Sequence, residues 1–320
     1  MSGKERVKAI VDGRPVDRCA YWTGYPHGDS LPALFKYFDC NTPEEIYRLL
    51  GDDVRWIPVG SHPRLPKNYL VDCDSVAMVE DFPWPNPDDF DLSPWLNALR
   101  EAVGYYRFSG NLSMFFHDDC FNSFGGMQNY FIKIYTNPDV VHALTRRVND
   151  YYLKLNRRFF QAAGPNMEAF MVSHDLGTQT ALVMSPSMLE EFVFPYLKEQ
   201  FELGHEFGYD ILMHCCGAIR PIVSRMIELG MDLLHPVQAL ASGMDAESLR
   251  EFKGQVTFVG GIDTQELLRH GTTDDIEQEV RRVASVLGAM VISPSHEALL
   301  PDVPPENVAA MARAARETWL

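Results

Sequence analysis

Residues 213–217 read Met-His-Cys-Cys-Gly and contain two of the side-chain types that bind zinc. They end an apolar run that is typical of a buried strand. Side chains two positions apart in a strand point to the same side, so His214 and Cys216 would lie together. An imidazole and a thiolate at this spacing supply half of a tetrahedral zinc site. A β-bulge would present Cys215 instead of Cys216, and the sequence leaves that choice open.

A third candidate ligand, His296, ends another apolar run, residues 289–296. We predict a zinc site made of His214, Cys216 and His296, with one coordination position open for substrate, as in catalytic zinc sites. Taken singly, a buried histidine is more often a hydrogen-bonded structural residue, and a buried cysteine more often packs as a small apolar side chain. The prediction of a metal site therefore depends on the three side chains converging.

Other polar side chains follow predicted strands, and parallel barrels carry their chemistry at these strand ends. Asp175 and Gln179 follow one strand, Gln238 a second and Asp263 a third. Asp175 is a candidate for orienting a metal ligand or for general acid–base catalysis. Gln179, Gln238 and Asp263 are candidates for orienting a substrate. The alternative for Asp175, Gln238 and Asp263 is a structural role in capping the turns that they begin.

The elements that would position these residues alternate between strands and helices, which indicates a parallel sheet. A capping box at Thr42 and Glu45 begins one helix, and Ser185 is the predicted N-cap of a continuous helix over 186–207. Eight strands are predicted, at 19–23, 54–59, 112–116, 169–175, 210–216, 232–238, 256–261 and 289–293. Eight strands close a barrel, so the sequence predicts an α/β fold of the (β/α)8 TIM-barrel type.

Residues 1–320 are predicted to form a single barrel domain, with an N-terminal helical segment and an irregular excursion near 62–94. Residues 83–89 of that excursion read Pro-Trp-Pro-Asn-Pro-Asp-Asp, which excludes a helix interior or a central strand. No internal repeat or low-complexity tract divides the chain.

The composition excludes several classes of partner. A formal net charge of -16 argues against a nucleic-acid groove or an anionic membrane surface. The N-terminus lacks the basic and apolar regions of a signal peptide, and no apolar run reaches membrane-spanning length. We therefore expect a cytoplasmic protein with no nucleic-acid or membrane partner. In such a protein the 6 cysteines do not form a disulfide framework.

Several segments resemble the uroporphyrinogen decarboxylase superfamily, and together they cover nearly the whole chain. The segments are 5–10, 15–18, 214–221 (HCCGAIRP), 232–238 (DLLHPVQ), 260–265 (GGIDTQ), 294–296 (PSH) and 301–307 (PDVPPEN). The resemblance implies a (β/α)8 barrel, in agreement with the strand count, and is compatible with a homodimer. The motifs in these segments identify the superfamily more specifically than they identify the reaction.

Two branches of that superfamily matter here. The true decarboxylases use no metal and hold their polyanionic substrate with an Arg-Gln-Ala-Gly-Arg motif, whereas residues 22–28 near that position contain no arginine. The corrinoid-linked methyltransferases, such as those for coenzyme M, bind zinc through His-x-Cys and a later cysteine. His214 and Cys216 match the first two ligands, and His296 stands at the later position. The resemblance therefore implies Zn²⁺ and a cobalamin carried by a partner corrinoid protein.

An imidazole in place of a thiolate leaves zinc more electrophilic, which suits polarisation of the oxygen of a methyl ether or alcohol. We expect a zinc-dependent methyltransferase that moves a methyl group between a small, oxygen-linked donor and a corrinoid protein. The first alternative is a metal-free decarboxylase of a small acid, in which Asp175 stabilises positive charge on the substrate. The second is a barrel that only docks a corrinoid protein, without metal or turnover.

Overall fold

Eight parallel strands form a nearly closed barrel in the computed structural model, which describes residues 1–58, 68–110 and 116–318. The strands are β1 (Ala20–Tyr21), β2 (Val54–Trp56), β3 (Tyr106–Ser109), β4 (Ala169–Ser173), β5 (Asp210–His214), β6 (Leu233–Val237), β7 (Thr257–Ile262) and β8 (Val291–Pro294). Neighbours in sequence pair from β2 to β8, and β8 pairs with β1. Between β1 and β2, the Asp53 amide donates to the Tyr21 carbonyl over 2.8 Å. The predicted (β/α)8 TIM barrel is confirmed.

Helices separate the strands along the chain. In the described residues the α-helices are α1 (Gly3–Val11), α2 (Leu31–Phe38), α3 (Pro43–Leu50), α4 (Val76–Glu80), α5 (Ser93–Glu101), α6 (Phe116–Ser123), α7 (Met127–Thr136), α8 (Pro138–Ala163), α9 (Pro186–Phe192), α10 (Phe194–Glu206), α11 (Arg220–Leu229), α12 (Ala246–Leu249), α13 (Leu267–His270), α14 (Thr273–Leu287) and α15 (Pro305–Glu317). Over the same residues, we find no helix whose length and hydrophobicity would let it cross a bilayer.

The helix between β4 and β5 differs from the prediction. Ser185 caps α9, since its hydroxyl accepts the Met188 amide, but the predicted continuous helix over 186–207 is interrupted at Val193. Pro195 lies at the beginning of α10 and has no amide hydrogen to continue the ladder of α9, so a new helix begins there. The capping box at Thr42 is present as predicted.

The third strand was predicted at 112–116 and lies instead at Tyr106–Ser109. Residues 111–115 are outside the described residues, and Phe116 begins α6. Arg107 explains the error, because a charged residue disrupts the apolar pattern expected of a buried strand. Its guanidinium is buried in an ion pair with Glu168, at 2.8 Å. In the predicted irregular excursion, residues 68–94 hold only short helices, and 59–67 lie outside the described residues.

The interior of the barrel is filled by side chains. Trp22, Phe108, Met171 and Leu212 pack with other buried apolar residues inside the strands, and Val7 of α1 joins this cluster. The cavity that remains has a volume of about 10 Å³, which is room for at most one water molecule. The interior therefore has no room for a substrate, and in parallel barrels the chemistry lies at the mouth, at the carboxyl ends of the strands.

Candidate active site at the barrel mouth

His214 and Cys216 lie side by side where β5 ends. His214 is the last residue of β5, and its Nε2 is 3.5 Å from the Sγ of Cys216. Cys215 points away from this pair. Its fully buried Sγ accepts the amide of Leu176 over 3.3 Å. The geometry thus brings Cys216, rather than Cys215, next to the imidazole.

Asp175 approaches the same pair from the loop after β4. Its Oδ1 lies 3.6 Å from His214 Nε2 and accepts the Cys216 amide over 3.1 Å. Two glycines permit this approach. A Cβ on Gly177 would lie 2.8 Å from the Cys216 carbonyl oxygen, and a Cβ on Gly217 would lie 2.5 Å from the Gly177 backbone. The loops after β4 and β5 can therefore pack backbone against backbone.

The three side chains fit a zinc ion. In a tetrahedral site with ordinary zinc–ligand bond lengths, a sulfur and a nitrogen ligand are about 3.6 Å apart, and a nitrogen and an oxygen ligand about 3.4 Å. The observed separations from His214 Nε2 are 3.5 Å to Cys216 Sγ and 3.6 Å to Asp175 Oδ1. The ligand atoms of all three side chains lie within 4.8 Å of one another.

His296 lies near this group without joining it. Its ring centroid is 6.4 Å from that of His214, whereas two imidazoles on one tetrahedral zinc would have centroids about 5 Å apart. Its Nδ1 accepts the Ala298 amide over 3.0 Å, which places the proton of a neutral ring on Nε2. To become a ligand through Nε2, His296 would have to shift by roughly 1 Å and give up the Ala298 bond.

A second group of candidate ligands stands behind His214 and consists of His214, His235 and Glu297. The two Nδ1 atoms of the histidines are 2.9 Å apart, which is shorter than the roughly 3.3 Å between two nitrogen ligands of a tetrahedral zinc. We therefore interpret this contact as a hydrogen bond. Glu297 Oε2 lies 3.7 Å from His214 Nδ1.

Sequence reasoning assigned no role to His235 or Glu297. A signal was present for His235, since it is a polar residue at the centre of the otherwise apolar strand β6. The two residues are register partners in the β5–β6 pair. No comparable signal existed for Glu297, whose side chain is only 13% exposed although it follows the exposed His296.

The environment of the site opposes ionisation of Cys216 and of His235 in the absence of a cation. Burial raises the pKa of the Cys216 thiol, and the negative charges of Asp175 and Glu297 raise it further. Burial also lowers the pKa of His235, with a smaller contribution from His214. A divalent cation would oppose the first effect, because it stabilises the thiolate.

The remaining predicted residues contact the protein itself. Gln238 accepts the Gly217 amide over 2.7 Å and donates to the Gln179 carboxamide over 3.2 Å, so it ties the loops after β4, β5 and β6 together. Asp263 accepts three backbone amides, from Gln265, Glu266 and Leu267. Its carboxylate therefore caps the turn that leads into α13.

A cavity of about 270 Å³ opens beside His296. Gln238, Gln265, Arg269 and Leu300 are among the residues that line it. Arg269 pairs with Asp302 at 2.6 Å, which offsets its positive charge. The cavity thus offers polar and apolar contacts next to His296 and Gln238, without a net cationic wall.

The chain is similar to a solved structure of a methyltransferase from Methanosarcina mazei, with a TM-score of 0.69 and 18% sequence identity over 99% of both chains. At this identity the likeness shows the fold alone. No curated protein matches the chain. Residues 122–318, more than half of the chain, match the family described as Uroporphyrinogen decarboxylase (URO-D). The chain therefore belongs to the uroporphyrinogen decarboxylase family.

Proposed function

We propose that this protein is a zinc-dependent methyltransferase that moves a methyl group between a small, oxygen-linked methyl donor and a partner corrinoid protein. The observation that carries the proposal is the ligand geometry at the barrel mouth, where Cys216 Sγ and Asp175 Oδ1 lie 3.5 and 3.6 Å from His214 Nε2. The methyltransferase from Methanosarcina mazei, which shares the fold over 99% of both chains, supports the reaction class.

His214 and Cys216 are the proposed fixed ligands, and the third ligand is Asp175 or His296. Distance favours Asp175, because its carboxylate is already within 3.6 Å of His214 Nε2. Exposure also favours a functional role for Asp175 over a purely structural one, since its side chain is 64% exposed at the mouth. His296 remains the alternative that the family resemblance suggests, at the cost of the Ala298 hydrogen bond.

Zinc, when bound, would supply Lewis-acid polarisation of an electron-rich atom of the donor. The protein's own part is to orient the ligands and the donor. Gln238 holds the Gly217 amide, and with it the loop that carries Cys216. The neighbouring cavity, at about 270 Å³, is slightly smaller than typical ligand pockets of roughly 300–1,000 Å³, which suits a small donor.

The proposed preference for an oxygen-linked donor follows from the number of thiolates. With either third ligand, the site contains one thiolate, from Cys216. Carboxylate and imidazole are harder ligands than thiolate and leave zinc better suited to an oxygen atom. A site with two thiolates would instead suit activation of a bound thiol.

Metal analysis and a methyl-transfer assay test this function. Purified protein should contain one zinc per chain and should methylate cob(I)alamin from methoxylated donors. Cys216→Ala should lose zinc and activity together. Cys40→Ala, at a partly buried position between α2 and α3 that belongs to neither group of candidate metal ligands, should keep both. Activity with thioethers alone would refute the oxygen preference, and full activity without zinc would refute the function.

The second candidate is a metal-free decarboxylase of a small acid, which membership of the uroporphyrinogen decarboxylase family supports. In that case Asp175 would stabilise positive charge on the substrate, and Cys216 would be dispensable. The assay is release of carbon dioxide from a panel of small acids by metal-depleted protein. Turnover that survives Cys216→Ala but not Asp175→Asn would favour this candidate over the methyltransferase.

A further inference from the structure

We infer that His235 is a positioning residue that holds the His214 imidazole in the tautomer whose Nε2 can bind a metal. This inference rests on the proposed function, since it concerns the metal site of that function. His235 is not a member of the group formed by Asp175, His214 and Cys216, and His214 is the residue that it shares with that group. It is therefore distinct from the ligands themselves.

The strand register brings the two rings together. His214 and His235 are direct partners in the parallel pair of β5 and β6. Their Nδ1 atoms lie 2.9 Å apart, and the ring centroids 5.0 Å. His235 is fully buried and packs against the Trp22 ring at a centroid distance of 5.3 Å. The ring of His235 is thus fixed by the core and presents one nitrogen to His214.

Counting protons limits the pair to two arrangements. In a hydrogen bond between the two Nδ1 atoms, one carries the proton and the other accepts it, and a histidine that binds a metal must be a neutral imidazole. If His214 donates, its Nε2 holds a lone pair that faces Cys216 and Asp175. If His235 donates, the proton of His214 is on Nε2, and that nitrogen cannot bind a metal.

Glu297 favours the first arrangement. Its Oε2 accepts no hydrogen bond from the described residues and lies 3.7 Å from both His214 Nδ1 and His296 Nδ1. Because His296 Nδ1 accepts the Ala298 amide, only His214 Nδ1 can present a proton to this carboxylate. A carboxylate at this distance favours a proton on the adjacent nitrogen over a lone pair. The Nε2 of His235 has no hydrogen-bond partner among the described residues in either arrangement, so it does not decide between them. His235 and Glu297 together therefore direct the Nε2 lone pair of His214 towards the metal position.

The test compares two variants of His235 by zinc affinity, measured in competition with a chromophoric chelator. His235→Phe fills the same space but has no acceptor, and we expect zinc to bind about 10–100-fold more weakly, as for other residues that orient a metal ligand. His235→Asn restores an acceptor near the Nδ1 position, and its affinity should return to within a few-fold of the wild type. Equal affinity for wild type and His235→Phe, or no recovery in His235→Asn, would overturn the inference.

Two further measurements keep the test decisive. If His235→Phe fails to fold, Glu297→Gln tests the same proton arrangement without changing the barrel interior, and it should weaken zinc binding several-fold. Nitrogen NMR of histidine-labelled, zinc-loaded protein should find His214 protonated at Nδ1, and an unprotonated Nδ1 would contradict the inference. A wild-type protein that binds no zinc would refute the proposed function itself, whereas zinc binding that is indifferent to His235 would refute only this inference.

Discussion

Asp175→Asn and His296→Gln form a pair of substitutions that identifies the third metal ligand. Asn at position 175 can still accept the Cys216 amide, now 3.1 Å from the carboxylate, so the loop should keep its course. It loses the charge and the strong ligand oxygen that lies 3.6 Å from His214 Nε2. Gln at position 296 removes an imidazole that stands outside the group of converging ligand atoms.

The expected size of the effect follows from the strength of zinc sites. Four ligands of a structural zinc together contribute about 10–16 kcal/mol, or roughly 3 kcal/mol per ligand. A loss of about 3 kcal/mol weakens binding by roughly 10²-fold. We therefore expect Asp175→Asn to lower zinc affinity by about two orders of magnitude and His296→Gln to lower it by less than about tenfold.

The assay is chelator competition at fixed pH on apo protein, with circular dichroism to verify that each variant is folded. Asp88→Asn is the matched control, because this carboxylate is 72% exposed and pairs with Arg158 away from the barrel mouth. The reverse order, with a large loss in His296→Gln and little change in Asp175→Asn, would refute the choice of Asp175 and support His296 as the third ligand.

Three other changes test the surroundings of the site and the fold. Gly217→Ala should weaken zinc binding and destabilise the protein by about 1–3 kcal/mol, because this residue has φ 91° and an added Cβ would meet the Gly177 backbone. Chelator competition measures the loss of zinc affinity, and chemical denaturation measures the loss of stability. Gln238→Leu should weaken zinc binding while Gln255→Leu should not, since only Gln238 holds the Gly217 amide. Burial raises the pKa of the Asp52 carboxyl to about 7, above its value in the unfolded chain. The stability of the wild type relative to Asp52→Asn should therefore fall as pH rises from about 4 to about 7, by a few kcal/mol at most. Denaturation series at several pH values measure this change.

Much of the barrel could be predicted because its local signals agree with its topology. Residues 211–213 form an apolar run between a helix and a glycine, and β5 occupies Asp210–His214. The Thr42 cap likewise marks a helix start that the structure contains. The third strand escaped prediction because Arg107 finds its partner, Glu168, 61 residues away, and no local pattern encodes that pair.

The site could be predicted only in part. The spacing of His214 and Cys216 predicted their contact, and Cys216 lies on the side expected of a continuing strand although β5 ends at His214. The approach of Asp175 depends on two loops packing through Gly177 and Gly217, which is a tertiary contact. The pairing of His214 with His235 depends on the register between β5 and β6, which the sequence of either strand does not determine.

The central claim is that one zinc ion is held at the barrel mouth by His214 and a single sulfur, that of Cys216. Zinc K-edge X-ray absorption on the purified, zinc-loaded protein tests it most directly. The account predicts one sulfur per zinc at about 2.3 Å, with the other ligands nitrogen or oxygen at about 2.0–2.2 Å, and loss of the sulfur signal in Cys216→Ala. Two sulfurs per zinc, or a sulfur signal that persists in Cys216→Ala, would contradict it.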